Sequence, residues 1–281
     1  MKKKIIFAVS LLIIIIIGVL IFLFKNNTDK YIIKDLYFYN DNNQKIYTKL
    51  YKPIRDKKVP IVVYSPGLGA SYKACSNYAE NLLEYGVASI CIDFRGGSKN
   101  SKSDGKTTEM SIMTEYADLS LIIKEVRKMD FVDKNKIIVM GSSQGGVLSA
   151  MASINDKDIK GIILLYPAFT LPDYINNRFP TDSDVLEEYP ITNKITVGKN
   201  YVLDIRGLKM FELIKNEDKK VLIIHGSDDD VVPVSVSKRA EDIYKDSKLF
   251  VIDGAGHGFN TKEANEAIIY ILDYFKEIGV L

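Results

Sequence analysis

Cysteine and histidine are scarce in this sequence, two of each among 281 residues. Neither Cys75 nor Cys91 sits in a C-x-x-C or metal-ligand spacing, so the signature of a metal site is missing and no metal or organic cofactor is expected. The pair reads as two partly buried free thiols, with a disulfide as the alternative if the domain faces an oxidising compartment. Net charge is nearly absent as well. It amounts to +2, from 38 basic and 36 acidic residues interspersed along the chain, which gives no reason to expect nucleic acid as a partner. Internal repeats and low-complexity tracts are absent, and nothing signals an oligomeric state. What remains, 47% hydrophobic and 26% charged residues, describes an ordinary globular domain plus something apolar.

The apolar part is the N-terminus. After Met1-Lys2-Lys3-Lys4, a basic tip, residues Ile5 to Phe24 form a run of 20 without a charge. A helix of that length spans about 30 Å, the thickness of a bilayer's hydrocarbon core. The following Lys25-Asn26-Asn27 offers neither an A-x-A cleavage pattern nor a lipobox cysteine, so the run reads as an uncleaved signal anchor. By the positive-inside rule the three lysines stay in the cytoplasm. The domain from residue 31 onward, after a linker at 25–30, then lies outside the cell.

From residue 31 the chain alternates short β-branched runs with amphipathic helical stretches. Ile32–Tyr39 and Lys45–Tyr51 read as an opening antiparallel pair around an Asp41-Asn42-Asn43 turn. Val59–Tyr64, Val87–Ile92, Lys136–Met140, Ile162–Tyr166, Val221–His225 and Leu249–Ile252 are continuous apolar runs, the mark of strands buried on both faces. Helical spacing falls between them, at Tyr72–Tyr85, Met110–Met129, Gly145–Ser153, Ser235–Tyr244 and Lys262–Ile278. Repeated strand–helix units imply an α/β fold with a mainly parallel, eight-stranded sheet covered by helices on both sides. Residues 168–218 break the rhythm with several prolines and no buried-strand pattern. That interval reads as an inserted cap over an active site.

Gly141-Ser142-Ser143-Gln144-Gly145 fits G-x-S-x-G between a strand and a helix. A sharp turn there presents Ser143 above the sheet edge, and the flanking glycines relieve its crowding. Ser142, one residue early for that geometry, reads as scaffold. The pentapeptide alone arises by chance in about one chain in ten of this length, so its context carries the weight. His225-Gly226-Ser227-Asp228-Asp229-Asp230 follows a late strand, where an orienting carboxylate belongs, and its three aspartates are equivalent on chemistry alone. His257 sits in a glycine-flanked loop free to reach a serine, whereas His225 belongs to a strand end. A serine hydroxyl needs such a base to act as a nucleophile at neutral pH. The order serine, acid, histidine excludes the chymotrypsin and subtilisin arrangements. Finally, the turn Tyr64-Ser65-Pro66-Gly67-Leu68-Gly69 lets backbone N–H groups face a developing oxyanion.

These residues resemble the α/β-hydrolase superfamily across 31–281. Asp93-Phe94-Arg95-Gly96-Gly97-Ser98 with Ser103-Asp104-Gly105, and His225 to Pro233, are similar to motifs of the bacterial group containing cinnamoyl and feruloyl esterases, monoacylglycerol lipases and serine aminopeptidase-like hydrolases. The resemblance implies a Ser143–His257–Asp229 triad, with the backbone N–H groups of Gln144 and Leu68 as the oxyanion pair. One departure is the sequence Ser65-Pro66 ahead of Gly67, where the group carries histidine. The activity implied is cleavage of a small-molecule carboxylic ester, of short-chain acyl or cinnamoyl/feruloyl type, through an acyl-enzyme. Cap aromatics Phe169, Tyr174, Phe179, Tyr189 and Tyr201 either receive the substrate or pack the cap on the body. An aminopeptidase-like activity, with Glu187 and Glu188 binding an amino terminus, is the rival enzyme reading. A non-catalytic, membrane-tethered binding protein is the alternative outside enzymes.

Overall fold

The computed structural model describes residues 30–192 and 195–281. The helix expected at 5–24 lies outside the described residues, and among those described no helix is long and apolar enough to cross a membrane. Among the described residues there are ten strands: β1 (Tyr31–Tyr39), β2 (Lys45–Pro53), β3 (Val59–Ser65), β4 (Ala88–Asp93), β5 (Val132–Ser142), β6 (Gly161–Leu165), β7 (Glu188–Thr192), β8 (Ile195–Gly198), β9 (Val221–Gly226) and β10 (Ser247–Ile252). The helices are α1 (Ser76–Glu84), α2 (Ile112–Val126), α3 (Gln144–Ile154), α4 (Leu171–Arg178), α5 (Lys199–Arg206), α6 (Met210–Leu213), α7 (Val234–Ile243) and α8 (Thr261–Glu277).

Eight strands form one sheet in the order β1-β2-β4-β3-β5-β6-β9-β10. The first two pairings are antiparallel and the rest parallel. The expected α/β-hydrolase architecture is what the chain adopts. Its central strands are apolar throughout because both faces are covered. Along β3, Ile61 and Val63 join Leu119, Ile122 and Leu148 in one core, while Val62 and Tyr64 join Leu82, Ile271 and Phe275 in the other. Adjacent side chains of a strand point to opposite faces, so a doubly covered strand has no polar side left to show. Helix α2 begins where Ser111 and Thr114 form a reciprocal capping box, which fixes its start two residues later than the apolar spacing suggested.

Two local expectations change. Cys75 and Cys91 are bonded to each other, with Cα atoms 5.7 Å apart, and are not free thiols. The fold brings the end of a 3-10 turn at Tyr72–Cys75 beside the middle of β4, a proximity that their sequence separation of 16 does not reveal. The cap interval, read as strandless, contains the antiparallel hairpin β7–β8. Its alternation survives around a proline: Glu188 and Pro190 face solvent and Tyr189 is buried. Every strand of a two-stranded ribbon is an edge, so Pro190 is tolerated.

Candidate active site

Ser143 stands at the corner between β5 and α3 with φ 53° and ψ −118°, a conformation that few non-glycine residues adopt. The backbone of this corner is crowded. A Cβ on Gly145 would run into the Ser65 carbonyl, and one on Gly141 into the Gly145 carbonyl, so the two flanking glycines are required by close approach. The Ser143 N–H donates to the Leu165 carbonyl at 2.9 Å, pinning the corner to β6. Ser142 is buried and accepts from the Tyr64 hydroxyl at 3.0 Å, in keeping with its reading as scaffold.

The loop after β10 brings His257 to this serine. Its Nε2 lies 3.0 Å from Ser143 Oγ and its Nδ1 lies 2.8 Å from Asp229 Oδ2. The three adjacent aspartates are separated by burial: Asp229 is buried, while Asp228 and Asp230 are exposed. Asp229 Oδ1 accepts from the N–H groups of Val231 and Val232 at 3.0 and 2.8 Å, which fixes the carboxylate plane. The Tyr166 ring meets the His257 imidazole in an edge-to-face arrangement, with centroids 4.9 Å apart.

His225, set aside as a strand-end residue, sits beneath this arrangement and is fully buried. Its Nε2 is 2.8 Å from the Val232 carbonyl and 3.2 Å from Asp229 Oδ2. A carbonyl can only accept, so Nε2 carries the proton, and Nδ1 accepts from the Ser237 hydroxyl at 2.6 Å. Burial pulls the His225 pKa down, which keeps the ring neutral. Asp229 Oδ2 thus faces an imidazole from each side. The available signal was the i, i+4 spacing of His225, near the end of β9, and Asp229 in the loop that follows.

The loop after β3 closes the site from the other side. A Cβ on Gly67 would lie 3.1 Å from Ser143 Cβ, so this loop rests on the Ser143 side chain. Its shape is held by backbone alone, the Ala70 N–H donating to the Gly67 carbonyl and the Gly69 N–H to the Gly97 carbonyl. No histidine ahead of Gly67 is needed for that. Among the described residues neither the Leu68 nor the Gln144 N–H meets a protein acceptor, and both are available to a ligand.

The side chain of Gln144 belongs to a buried polar chain that no motif signals. The Tyr201 hydroxyl, from α5 in the cap, donates to Gln144 Oε1 at 2.6 Å, and Gln144 Nε2 donates to Glu115 Oε2 on α2 at 2.6 Å. Burial pushes the Glu115 carboxyl up to about 8, with Asp118 adding to the rise and the Gln144 hydrogen bond opposing it. Asp118 is in turn paired with Arg95 at 2.8 Å. A buried acid with a raised pKa keeps its proton in the folded state at pH values where the unfolded chain has lost it. Its stabilisation is therefore complete below the ordinary glutamate value of 4.5 and is lost as pH rises through about 8. Glu115→Gln keeps the acceptor and removes the titration. Measured by urea unfolding, the variant is expected to gain on the wild type steadily between about pH 5 and pH 8.5. Parallel stability curves would refute the assignment.

In the cap, Phe169, Phe179, Tyr189 and Tyr201 are buried and Tyr174 is half-exposed. Phe179 meets Tyr189 edge-on at 4.8 Å, so these aromatics pack the cap and do not form an open wall. The Glu187 side chain is 87% exposed and lies 3.5 Å from Lys199, and Glu188 faces solvent. Among the described residues no group of three or more His, Cys, Asp or Glu side chains is placed to hold a metal.

Known proteins share this arrangement of elements. Est1E from Butyrivibrio proteoclasticus, solved with ferulic acid bound, is 25% identical, with 85% of this chain and 98% of that chain covered at a TM-score of 0.77. The quorum-quenching protein AidA of Acinetobacter baumannii is 25% identical over 46% of this chain and 42% of its own length. Human prolyl endopeptidase FAP is 24% identical over 79% of this chain and 30% of its own length. The chain thus spans less than half the length of these two relatives. Residues 74–278 match the prolyl oligopeptidase family, a stretch that runs from the turn before α1 to the end of α8 and takes in Ser143, Asp229 and His257. The chain belongs to that family and carries it on the α/β-hydrolase fold.

Proposed function

We propose that the protein is a membrane-anchored serine hydrolase that cleaves carboxylic esters through an acyl-enzyme. The observation that carries this reading is the hydrogen-bonded line from Asp229 through His257 to a strained Ser143, with spacings of 2.8 and 3.0 Å. Asp229 accepts from Nδ1–H of His257 and so leaves Nε2 free to take the Ser143 proton. The alkoxide attacks the ester carbonyl, and the oxyanion is received by the N–H groups of Gln144 and Leu68. Each such donor typically contributes about 3–4 kcal/mol of transition-state stabilisation. His257 then protonates the leaving alcohol, and water repeats the sequence on the acyl-enzyme.

Ester cleavage is favoured over peptide cleavage by two points. Est1E is matched over 98% of its length, whereas the endopeptidase is matched over 30%. The carboxylates offered for an amino terminus, Glu187 and Glu188, lie on the exposed side of the cap, Glu187 beside Lys199. The family name keeps a peptidase as the second reading. For the anchor, residues 5–24 supply the apolar run, and the bond between Cys75 and Cys91 supports a domain outside the reducing cytoplasm.

The full chain in detergent, assayed on 4-nitrophenyl butyrate, methyl ferulate and aminoacyl nitroanilides beside Ser143→Ala, tests the reading. Ester turnover that vanishes in the variant is the expected result. Faster nitroanilide turnover would make it a peptidase. A folded protein that neither turns over an ester nor reacts with a fluorophosphonate would make it a binding protein. Alkaline carbonate should leave the full chain in the membrane pellet, and its release would remove the anchor.

A further inference from the structure

A cleft of about 960 Å³ is lined by the loop after β3, the loop after β4 and Ile195 of the cap. Leu68 in its lining is the neighbour of Gly67, which rests on Ser143, and Ile195 of β8 lines it next to Gly69. Its charged lining is of one sign. Lys73, Lys99 and Lys102 all border it, and among the described residues no carboxylate does. In a chain whose net charge is only +2, that concentration is local. We propose that this cleft is an anion subsite, which holds a carboxylate or phosphate on one arm of the ester while the carbonyl lies at Ser143. The proposal rests on the reading of Ser143 as the nucleophile of an ester hydrolase.

The charges are only partly matched within the protein. Among the described residues Lys73 and Lys99 have no acidic side chain within salt-bridge distance. Lys102 Nζ lies 3.8 Å from Asp35 Oδ2, but Asp35 is engaged more closely by Lys49 at 2.7 Å. One carboxylate shared by two ammonium groups leaves net positive charge facing the cleft. Lys102 is also held in place. Its ammonium donates to the Tyr47 hydroxyl at 3.2 Å and lies 4.4 and 4.9 Å from the ring centres of Tyr47 and Tyr72. Holding the cation beforehand reduces the ordering that binding must impose.

Single exposed ion pairs are weak. The effect expected is that of several like charges around one cleft, which concentrate an anion and fade with salt. Two ester pairs separate the arms of the substrate. Mono-4-nitrophenyl glutarate against 4-nitrophenyl butyrate places a carboxylate on the acyl arm. 4-Butyryloxyphenyl phosphate against phenyl butyrate places a phosphate on the alcohol arm. For at least one pair, kcat/KM should favour the anion by about 5- to 10-fold at low ionic strength and return toward parity in about 0.5 M salt. Lys73→Gln with Lys99→Gln should lower that anionic-to-neutral ratio by about 5-fold, and turnover of the neutral ester in the same variant shows that it is folded.

An unchanged ratio in the double variant would overturn the subsite. So would a wild-type enzyme that hydrolyses the neutral esters with no preference for either anion, and in that case the hydrolase reading stands. No turnover of any of the four esters would overturn the ester reading and the subsite with it.

Discussion

Ser143→Ala is expected to lower kcat/KM for 4-nitrophenyl butyrate by a factor on the order of 10⁶, and Ser143→Gly by the same factor. Both remove the hydroxyl that His257 faces at 3.0 Å. They differ in stability, because the backbone at this corner holds φ 53° and ψ −118°. An alanine Cβ keeps the strain of that conformation, which costs about 1–3 kcal/mol for a residue with a side chain. Glycine removes it, and the extra freedom glycine gives the unfolded chain offsets about 1 kcal/mol of the gain. The glycine variant should therefore be the more stable of the two by about 1 kcal/mol, or roughly 2–4 °C in Tm. Thermal unfolding of the pair, scanned under identical conditions, reads this directly. Equal Tm values would mean that the corner stores no more strain than glycine's unfolded-state freedom offsets, about 1 kcal/mol.

The second large effect is expected at Asp229. Asp229→Asn should reduce kcat by about 10⁴-fold near neutral pH with little change in KM. Its Oδ1 receives two backbone N–H groups, from Val231 and Val232, so an amide placed here must keep its oxygen on that side. The NH₂ then faces His257 Nδ1, where Oδ2 now accepts. That forces the proton of the neutral ring onto Nε2, the atom that must take the Ser143 proton. The same NH₂ faces His225, whose Nε2–H already donates to the Val232 carbonyl. Two donors meet without an acceptor, and stability should fall by about 1–3 kcal/mol. Asp228→Asn and Asp230→Asn, both at exposed positions, should stay within about twofold of the wild type in kcat. A comparable loss at either of them would move the acid away from Asp229.

That last comparison marks where the sequence stopped being readable. Gly141 and Gly145 were legible because the crowding that requires them is local, arising within a five-residue turn and the strand beside it. The continuous apolar strands were legible because burial on both faces writes itself into every residue. Asp228, Asp229 and Asp230 are chemically identical, and only the path of the loop decides which one turns inward. The resemblance to known motifs supplied that choice, and composition and spacing did not. Tyr201 and Glu115 lie on separate helices, distant in sequence from Gln144 and from each other, and no periodicity links them. The bond between Cys75 and Cys91 depends on how the turn before α1 packs on β4. The hairpin β7–β8 was hidden because two short strands around a proline resemble a loop.

The hydrogen bond from Tyr201 to Gln144 sets a condition on how the cap can be exchanged. Loops in this position are attractive to swap when a new specificity is wanted, since the sheet and its corner are built without them. In this protein a cap side chain completes the polar shell of the residue next to Ser143. A grafted cap must bring a donor to the same point, or else the Gln144 carbonyl is left dry and unpaired against the reacting centre. Swaps that ignore this should fold and yet turn over slowly. Retaining the turn of α5 that carries Tyr201, and grafting around it, keeps the cap and the corner compatible.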